Sequence, residues 1–153
     1  AEAESAAIWK GRKSAFGARG RIAEYMCMDG TTPTGQLPRV LTGISEICAG
    51  YGLEVANIFH AGDGNLHPLV LFNANKPGEL EKAEAAGADI LKLCVEVGGC
   101  LTGEHGVGVE KRELMVHQFN RIDLDQQMRV KTALDPHWLL NPHKVFPLEG
   151  RPV

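Results

Sequence analysis

The chain has 153 residues, of which 44% are hydrophobic and 23% charged, and this is the size and composition of a single globular domain rather than a disordered chain. Its net charge of −3 argues against the basic surface that nucleic acids or anionic membranes bind. The apolar runs are far shorter than the ~20 residues that cross a membrane, and the first residues do not resemble a secretory signal.

The predicted elements alternate between helix and strand along the chain. Apolar periodicity and turn residues predict, in order, a helix over 5–24, a strand over 23–28 ending in a turn at Asp29-Gly30, a helix over 37–51, strands over 53–59 and 66–72, a helix over 79–97, a short strand over 100–102, helices over about 107–117 and 123–134, and an extended tail over 135–147. Turn residues between 59 and 66 predict an antiparallel hairpin. The expected fold class is therefore α+β, an antiparallel sheet with helices packed on one face.

The four cysteines show neither a C-x-x-C pair nor zinc-ribbon spacing, and they lie among apolar neighbours. Free cysteine in such a setting behaves as a small core residue. We therefore expect free thiols and a reducing, cytoplasmic location. The residues concerned are Cys27, Cys48, Cys94 and Cys100.

The first of two glycine-rich motifs, H-A-G-D-G-N-L-H, runs from His60 to His67. Asp63-Gly64 is a strong signal for a tight hairpin turn. With this turn, or with a four-residue loop over 62–65, His60 lies directly opposite His67 on one face. Two imidazoles so placed can share one metal ion, although two ordinary surface histidines are the alternative. Pro68 then requires an edge strand or a bulge.

The second motif, G-E-H-G-V-G-V-E-K over 103–111, places a carboxylate beside an imidazole and before a helical stretch. Two histidines and one carboxylate form an open catalytic metal set, so Glu104 is the expected third ligand and His105 a candidate base. A phosphate cradle at a helix N-terminus is disfavoured, because Glu104 would repel phosphate and the spacing matches no phosphate loop. The other alternative is that Glu104 is a charge at a helix N-terminus.

The two motifs together resemble the C-terminal domain of FAD-linked oxidases, in particular the group of glycolate oxidases and D-lactate dehydrogenases among the vanillyl-alcohol-oxidase-type flavoenzymes. The resemblance runs nearly end to end: 8–13 is similar to the family's opening helix, 29–33 to a turn, and 135–136 and 141–147 to its closing segment. It implies a ferredoxin-like α+β fold. It also assigns 1–153 to a C-terminal substrate- and metal-binding (cap) domain.

The resemblance further implies oxidation of a 2-hydroxy acid, such as glycolate or D-lactate, to the 2-oxo acid with hydride transfer to FAD. A divalent metal, zinc or manganese, would be held by His60, His67 and Glu104. His105 would be the base that takes the proton of the substrate hydroxyl. Asp63 and Asn65 are assigned to the turn, or to orienting a ligand histidine.

The resemblance also assigns two residues outside the motifs. Arg12 would bind the substrate carboxylate, to which a guanidinium fork is suited, and Asn141 would lie near the flavin. The alternatives are an exposed helix charge for Arg12 and a turn residue before proline for Asn141.

The resemblance also implies an N-terminal flavin-binding domain, which we expect to be absent from this chain because nothing in the sequence resembles it and G-x-G-x-x-G does not follow a strand. The chain would then be a fragment or a separate subunit, inactive alone and without tightly bound FAD. Expected partners are the flavin-binding domain, the 2-hydroxy acid, and further oxidase subunits or an electron acceptor, in the cytoplasm or at the membrane periphery. A metal-dependent hydrolase and a non-catalytic assembly subunit remain the rival functions.

Overall fold

The computed structural model describes residues 2–19 and 23–147. The helices are α1 (Glu2–Arg19), α2 (Leu37–Gly50), α3 (Glu79–Glu96), α4 (Met115–Gln118) and α5 (Arg121–Leu134). The strands are β1 (Glu24–Cys27), β2 (Gly30–Thr31), β3 (Val55–His60) and β4 (Asn65–Phe72). Among the described residues, each helix is too short or too polar to span a bilayer.

Strand β4 is the centre of the sheet and pairs antiparallel with the other three strands. Strand β3 lies along one edge of β4. Strands β1 and β2 share the other edge in one continuous register, with Cys27 opposite Leu69 and Gly30 opposite Leu66. The chain therefore stays beside β4 between β1 and β2, and the predicted turn at Asp29-Gly30 is wrong.

The central position of β4 also corrects the expectation for Pro68, which lies neither on an edge strand nor at a bulge. Pro68 is fully buried opposite Asn57 of β3, and its carbonyl accepts the amide of Met28 at 3.0 Å. In an antiparallel pair the return bond would run from residue 68 to the Met28 carbonyl. Proline has no amide hydrogen, so the ladder is interrupted at this point, between β1 and β2.

The sheet order is that of a ferredoxin-like βαββαβ fold. Thr31 of β2 pairs with Asn65 on one side and forms an antiparallel bridge with Cys100 on the other. We count β1 and β2 together as the first strand, β3 as the second, β4 as the third and the bridge at Cys100 as the fourth. The spatial order is then fourth, first, third, second. The predicted strand over 100–102 is thus reduced to a single bridge, while the expected α+β class is confirmed.

Helices α2 and α3 pack on one face of the sheet and form the larger core with it. Gly87 allows a close approach, since a Cβ there would lie 2.7 Å from the sulfur of Met28. Burial raises the pKa of the Cys94 thiol to about 11, so that this cysteine is a core residue without nucleophilic character. The buried residues of this core are Val40, Ile44, Cys48, Leu66, Val70, Ala83, Ala86, Ile90 and Cys94.

Two of the predicted helices differ in extent from the helices in the structure. The predicted helix over 5–24 ends at Arg19 in the described residues, 20–22 lie outside them, and Glu24 already belongs to β1. The predicted helix over 107–117 is a turn, a short 3₁₀ segment and the four-residue α4. Gly106 and Gly108 have φ values of +83° and +57°. These left-handed conformations interrupt the backbone, so a continuous α-helix cannot form there.

The tail over 135–147 is irregular but not extended. Four residues other than glycine, Trp138, Asn141, His143 and Val145, adopt positive φ between 47° and 70°, so the chain turns repeatedly. The amide of Val145 donates to the carbonyl of Gly108 at 2.8 Å. The tail therefore packs back onto the loop that carries the second motif.

Candidate metal centre

The hairpin that carries the first motif has a register different from the predicted one. Its loop is 61–64, and the amide of Asp63 donates to the carbonyl of His60 at 3.0 Å. His60 therefore pairs with Asn65, not with His67. Because the pairing is displaced by two residues rather than one, both histidines still project from the same face, as diagonal neighbours.

The three predicted metal ligands meet on this face, which is the side of the sheet opposite α2 and α3. The rings of His60 and His67 are nearly perpendicular, with centroids 5.4 Å apart. Oε1 of Glu104 lies 2.9 Å from Nε2 of His67 and 3.8 Å from Nε2 of His60. His67 is buried, whereas His60 and Glu104 are about half exposed, so the cluster is open to solvent on one side.

The orientation of His67 follows from the interruption of the ladder at Pro68. Nδ1 of His67 lies 3.3 Å from the Met28 carbonyl, the group that Pro68 leaves without its ladder bond. Since a carbonyl oxygen only accepts, Nδ1 must carry the proton of that hydrogen bond. The other nitrogen, Nε2, is then the atom that His67 directs at Glu104.

Asp29 holds the second motif in place, and sequence reasoning missed it. Its side chain is fully buried beside β4, at the register position opposite His67. The carboxylate accepts hydrogen bonds from one hydroxyl and three consecutive backbone amides of the loop over 102–105. The donors are the Thr102 hydroxyl at 2.7 Å, the amides of Gly103 and His105 at 2.9 Å, and the amide of Glu104 at 3.2 Å.

A buried cation completes the surroundings of Asp29. Nζ of Lys111 lies 3.2 Å from the carboxylate, and Lys111 is itself buried. Burial acts to raise the pKa of Asp29, but the hydrogen bonds from Thr102, His105 and Glu104 and the charge of Lys111 outweigh it. The pKa of Asp29 is therefore held far below its ordinary value of 3.8, and the carboxylate remains ionised.

These contacts remove both alternatives for the second motif. The amides that would cradle a phosphate already donate to Asp29. Glu104 precedes turns rather than a helix, because helical structure resumes only at Arg112. The carboxylate of Glu104 is instead directed at the histidines of the first motif.

The geometry brings further polar groups to the cluster. Potential ligand atoms of Asp29, His67, Glu104 and His105 all lie within 4.8 Å of one another. Asp29 is the poorer ligand of the four, because its Oδ2 already binds a hydroxyl, backbone amides and an ammonium group and its Oδ1 shares the amide of Glu104. His105 stacks on His67, with ring centroids 5.2 Å apart and planes 16° apart, and its side chain is exposed.

Asn65 of the first motif carries a side-chain oxygen that faces the second motif without accepting a hydrogen bond from a described residue. Asn65 stands opposite His60, and this oxygen, Oδ1, is buried. A Cβ at Gly103 would lie 2.7 Å from that oxygen, so the amide lies flat against the glycine. The oxygen of Asn65 therefore does not orient a histidine, and Gly103 is required for the two motifs to approach each other.

The two residues outside the motifs have different outcomes. Nη2 of Arg12, on α1, lies 3.5 Å from Nδ1 of His60, which places the guanidinium at the border of the cluster. Asn141 is exposed and adopts a left-handed φ of 47°, a turn conformation that asparagine tolerates better than most residues. Within residues 2–19 and 23–147, the hydrogen bonds and ion pairs do not connect Asn141 to the cluster.

Comparison with known proteins gives one family. The family model of FAD linked oxidases, C-terminal domain, matches residues 1–145. The chain is 56% identical to glycolate oxidase subunit GlcD of Escherichia coli (strain K12) over 147 residues, which cover 95% of this chain and 30% of that protein. Glycolate oxidase subunit GlcD of Bacillus subtilis (strain 168) is 34% identical over 151 residues, 98% of this chain and 32% of that protein.

A mitochondrial D-lactate dehydrogenase (cytochrome) of Kluyveromyces lactis is 30% identical over 152 residues, 97% of this chain and 25% of that protein. The chain thus spans about a third or less of the length of these relatives. The match nonetheless includes both glycine-rich motifs and the strands that carry them. This chain belongs to the family of C-terminal domains of FAD-linked oxidases.

Proposed function

We propose that this chain is the metal- and substrate-binding part of a flavin-dependent 2-hydroxy-acid oxidoreductase acting on a small acid such as glycolate or D-lactate. The observation that carries the proposal is the position of Glu104, whose carboxylate oxygen lies between Nε2 of His67 and Nε2 of His60. The names of the relatives, glycolate oxidase and D-lactate dehydrogenase, indicate the class of substrate.

The donor set suits a divalent ion. At 2.9 Å, the contact between Nε2 of His67 and Glu104 needs either a proton or a cation between the two atoms. Two imidazole nitrogens and one carboxylate oxygen match zinc or manganese and leave coordination positions open. A bound ion would polarise the hydroxyl and carboxylate oxygens of the substrate, acting as a Lewis acid.

The residues of this chain then divide the remaining work. Arg12, at the border of the cluster, binds the substrate carboxylate through its guanidinium fork. His105, stacked on His67, takes the proton of the C2 hydroxyl onto its ring as the C2–H bond breaks. General-base assistance of this kind contributes about 10²–10⁴-fold to the rate.

The electron balance requires a flavin outside the described residues. FAD held by the flavin-binding part of the enzyme would supply the hydride acceptor that oxidation of the 2-hydroxy acid to the 2-oxo acid requires. His105 then releases the proton to solvent. We expect the 153-residue chain alone to bind the metal but to leave the acid unoxidised, and we assign Asn141 to the side that meets the flavin-binding part.

The test uses the complete enzyme, with its flavin-binding part. Glu104→Gln is expected to lower zinc or manganese content at least tenfold by elemental analysis and to abolish flavin reduction by the acid under anaerobic single-turnover conditions. The matched control is Glu110→Gln, an exposed carboxylate on the same loop and outside the cluster. Normal metal content in Glu104→Gln, or ester hydrolysis by the metal-loaded chain without flavin, would contradict the proposal.

A further inference from the structure

The thiol of Cys27 lies beside the candidate metal centre and has no role in the proposed reaction. Cys27 is the last residue of β1 and stands two positions before Asp29, so its side chain shares the face that carries His67. Potential ligand atoms of Cys27, His67 and His105 all lie within 4.8 Å of one another. Cys27 is half-buried and its Sγ donates only a long hydrogen bond, 3.5 Å, to the Met28 carbonyl.

We propose that Cys27, His67 and His105 form a second metal site, selective for thiophilic divalent ions such as cadmium or excess zinc. One thiolate and two imidazoles are the donors that these ions prefer, whereas manganese prefers oxygen ligands. Binding forms a metal–sulfur bond and releases the thiol proton to solvent, with no change of oxidation state. His105 is exposed and His67 is buried, so the three donors lie at the border between the sheet and the solvent.

The second site and the proposed catalytic centre cannot both hold an ion at the same time. The effect on catalysis that follows rests on the proposed function. The two sites share His67, which also lies 2.9 Å from Glu104. The thiophilic ion in addition occupies His105, the proposed base. An ion at the second site therefore removes both a ligand and the proton acceptor, and the site is inhibitory.

The binding experiment needs only the metal-free 153-residue chain and cadmium chloride. Titration is expected to produce the ultraviolet charge-transfer band of a cadmium–thiolate bond, saturating at one ion per chain. Cys27→Ser should abolish the band, and His105→Ala should weaken the affinity at least tenfold. The matched control is Cys100→Ser, which removes an exposed thiol that belongs to neither ligand group and should leave the band intact.

Three results of the titration would contradict the proposed second site. A band that persists in Cys27→Ser, that disappears in Cys100→Ser or that never forms would overturn the second site. His105→Ala changes an exposed side chain, so it still tests the site if circular dichroism shows that Cys27→Ser does not fold. An unchanged affinity in His105→Ala would likewise contradict the proposal.

The inhibitory consequence is tested in the complete enzyme. Cadmium is expected to inhibit flavin reduction by the acid, and Cys27→Ser should raise the inhibitory concentration at least tenfold while basal activity is retained. If the chain shows the thiolate band but cadmium does not inhibit the enzyme, the metal site stands. The role of His105 in the proposed function is then wrong.

Discussion

Oδ2 of Asp29 accepts a hydrogen bond of 2.9 Å from the backbone amide of His105, although the two residues are 76 positions apart in the chain. The same carboxylate binds the two preceding amides, so it fixes the backbone from which Glu104 and His105 project. Strand order makes this possible, because Asp29 lies in the continuous edge formed by β1 and β2, beside His67 of β4. One buried carboxylate thus joins the two motifs.

The first prediction concerns the stability that Asp29 provides. Asp29→Asn leaves the buried ammonium group of Lys111 without its counter-charge, and we expect the free energy of unfolding to fall by about 3–5 kcal/mol. Urea denaturation of both proteins measures the difference. The control is Asp89→Asn, which removes a more exposed partner of Lys92 and should cost less than about 1 kcal/mol. Equal costs in the two variants would contradict the role of Asp29.

The stability that Asp29 provides is also expected to depend on pH. The pKa of Asp29 is lowered in the folded state, so the unfolded chain binds the proton more readily. The stabilisation is complete above the ordinary carboxyl pKa of 3.8 and is lost progressively as the pH falls below it. The stability difference between wild type and Asp29→Asn should therefore shrink below about pH 4, as measured by urea denaturation at a series of pH values. A difference that stays constant into the acid range would contradict this.

Gly103 is predicted to stabilise the fold because its contact with Asn65 leaves no room for a larger side chain. A Cβ would approach the Asn65 amide to 2.7 Å, so Gly103→Ala should cost about 1–3 kcal/mol of stability and weaken zinc binding in calorimetric titrations. Gly50→Ala, at a position with open space, should be neutral or slightly stabilising. In an Asn65→Ala background the cost of Gly103→Ala should largely disappear. A cost that is independent of Asn65 would exclude this contact as its cause.

Pro68 is predicted to serve the metal centre rather than the stability of the sheet. In Pro68→Ala the new amide can donate to the Met28 carbonyl and compete with Nδ1 of His67. We expect the free energy of unfolding to change by less than about 1 kcal/mol, since a gained hydrogen bond offsets the loss of proline rigidity. Zinc affinity should fall about tenfold, as it does when the group that orients a ligand histidine is disturbed.

Competition with a chelator measures the affinity of Pro68→Ala, and Pro77→Ala, at an exposed proline in the turn before α3, is the control. A strongly destabilised Pro68→Ala with unchanged zinc affinity would reverse the assignment.

Arg12 is predicted to act in substrate binding. In the complete enzyme, Arg12→Lys keeps the charge but loses the bidentate fork, so KM for the 2-hydroxy acid should rise about 10-fold to 100-fold, with a smaller effect on kcat. Steady-state kinetics with a dye acceptor measures both constants. Lys13→Ala removes the neighbouring exposed charge and should leave KM unchanged. An unchanged KM in Arg12→Lys would leave Arg12 as an ordinary helix charge.

The clustering of His60, His67 and Glu104 was predictable from the sequence because it depends on local features of each motif. Alternation along a strand places His60 and His67 on one face, and an error of two residues in the register preserves that face. The type and spacing of residues in the second motif were enough to nominate Glu104 and His105. The family resemblance added Arg12, and the structure places it 3.5 Å from His60.

The remaining features depend on pairings between segments far apart in the chain. Asp29 precedes a glycine, which is typical of a turn, and only its pairing beside β4 makes it a buried anchor for the second motif. The ladder interruption at Pro68 becomes visible only when Met28 is known to be its partner. Cys27 reads as a core cysteine until the sheet brings it next to His67 and His105. The sequence alone determined which side chains are candidates for ligands and base, since residue type and strand periodicity are local. The tertiary structure decided what holds and surrounds those side chains, because buried hydrogen bonds join whichever groups the sheet topology brings together.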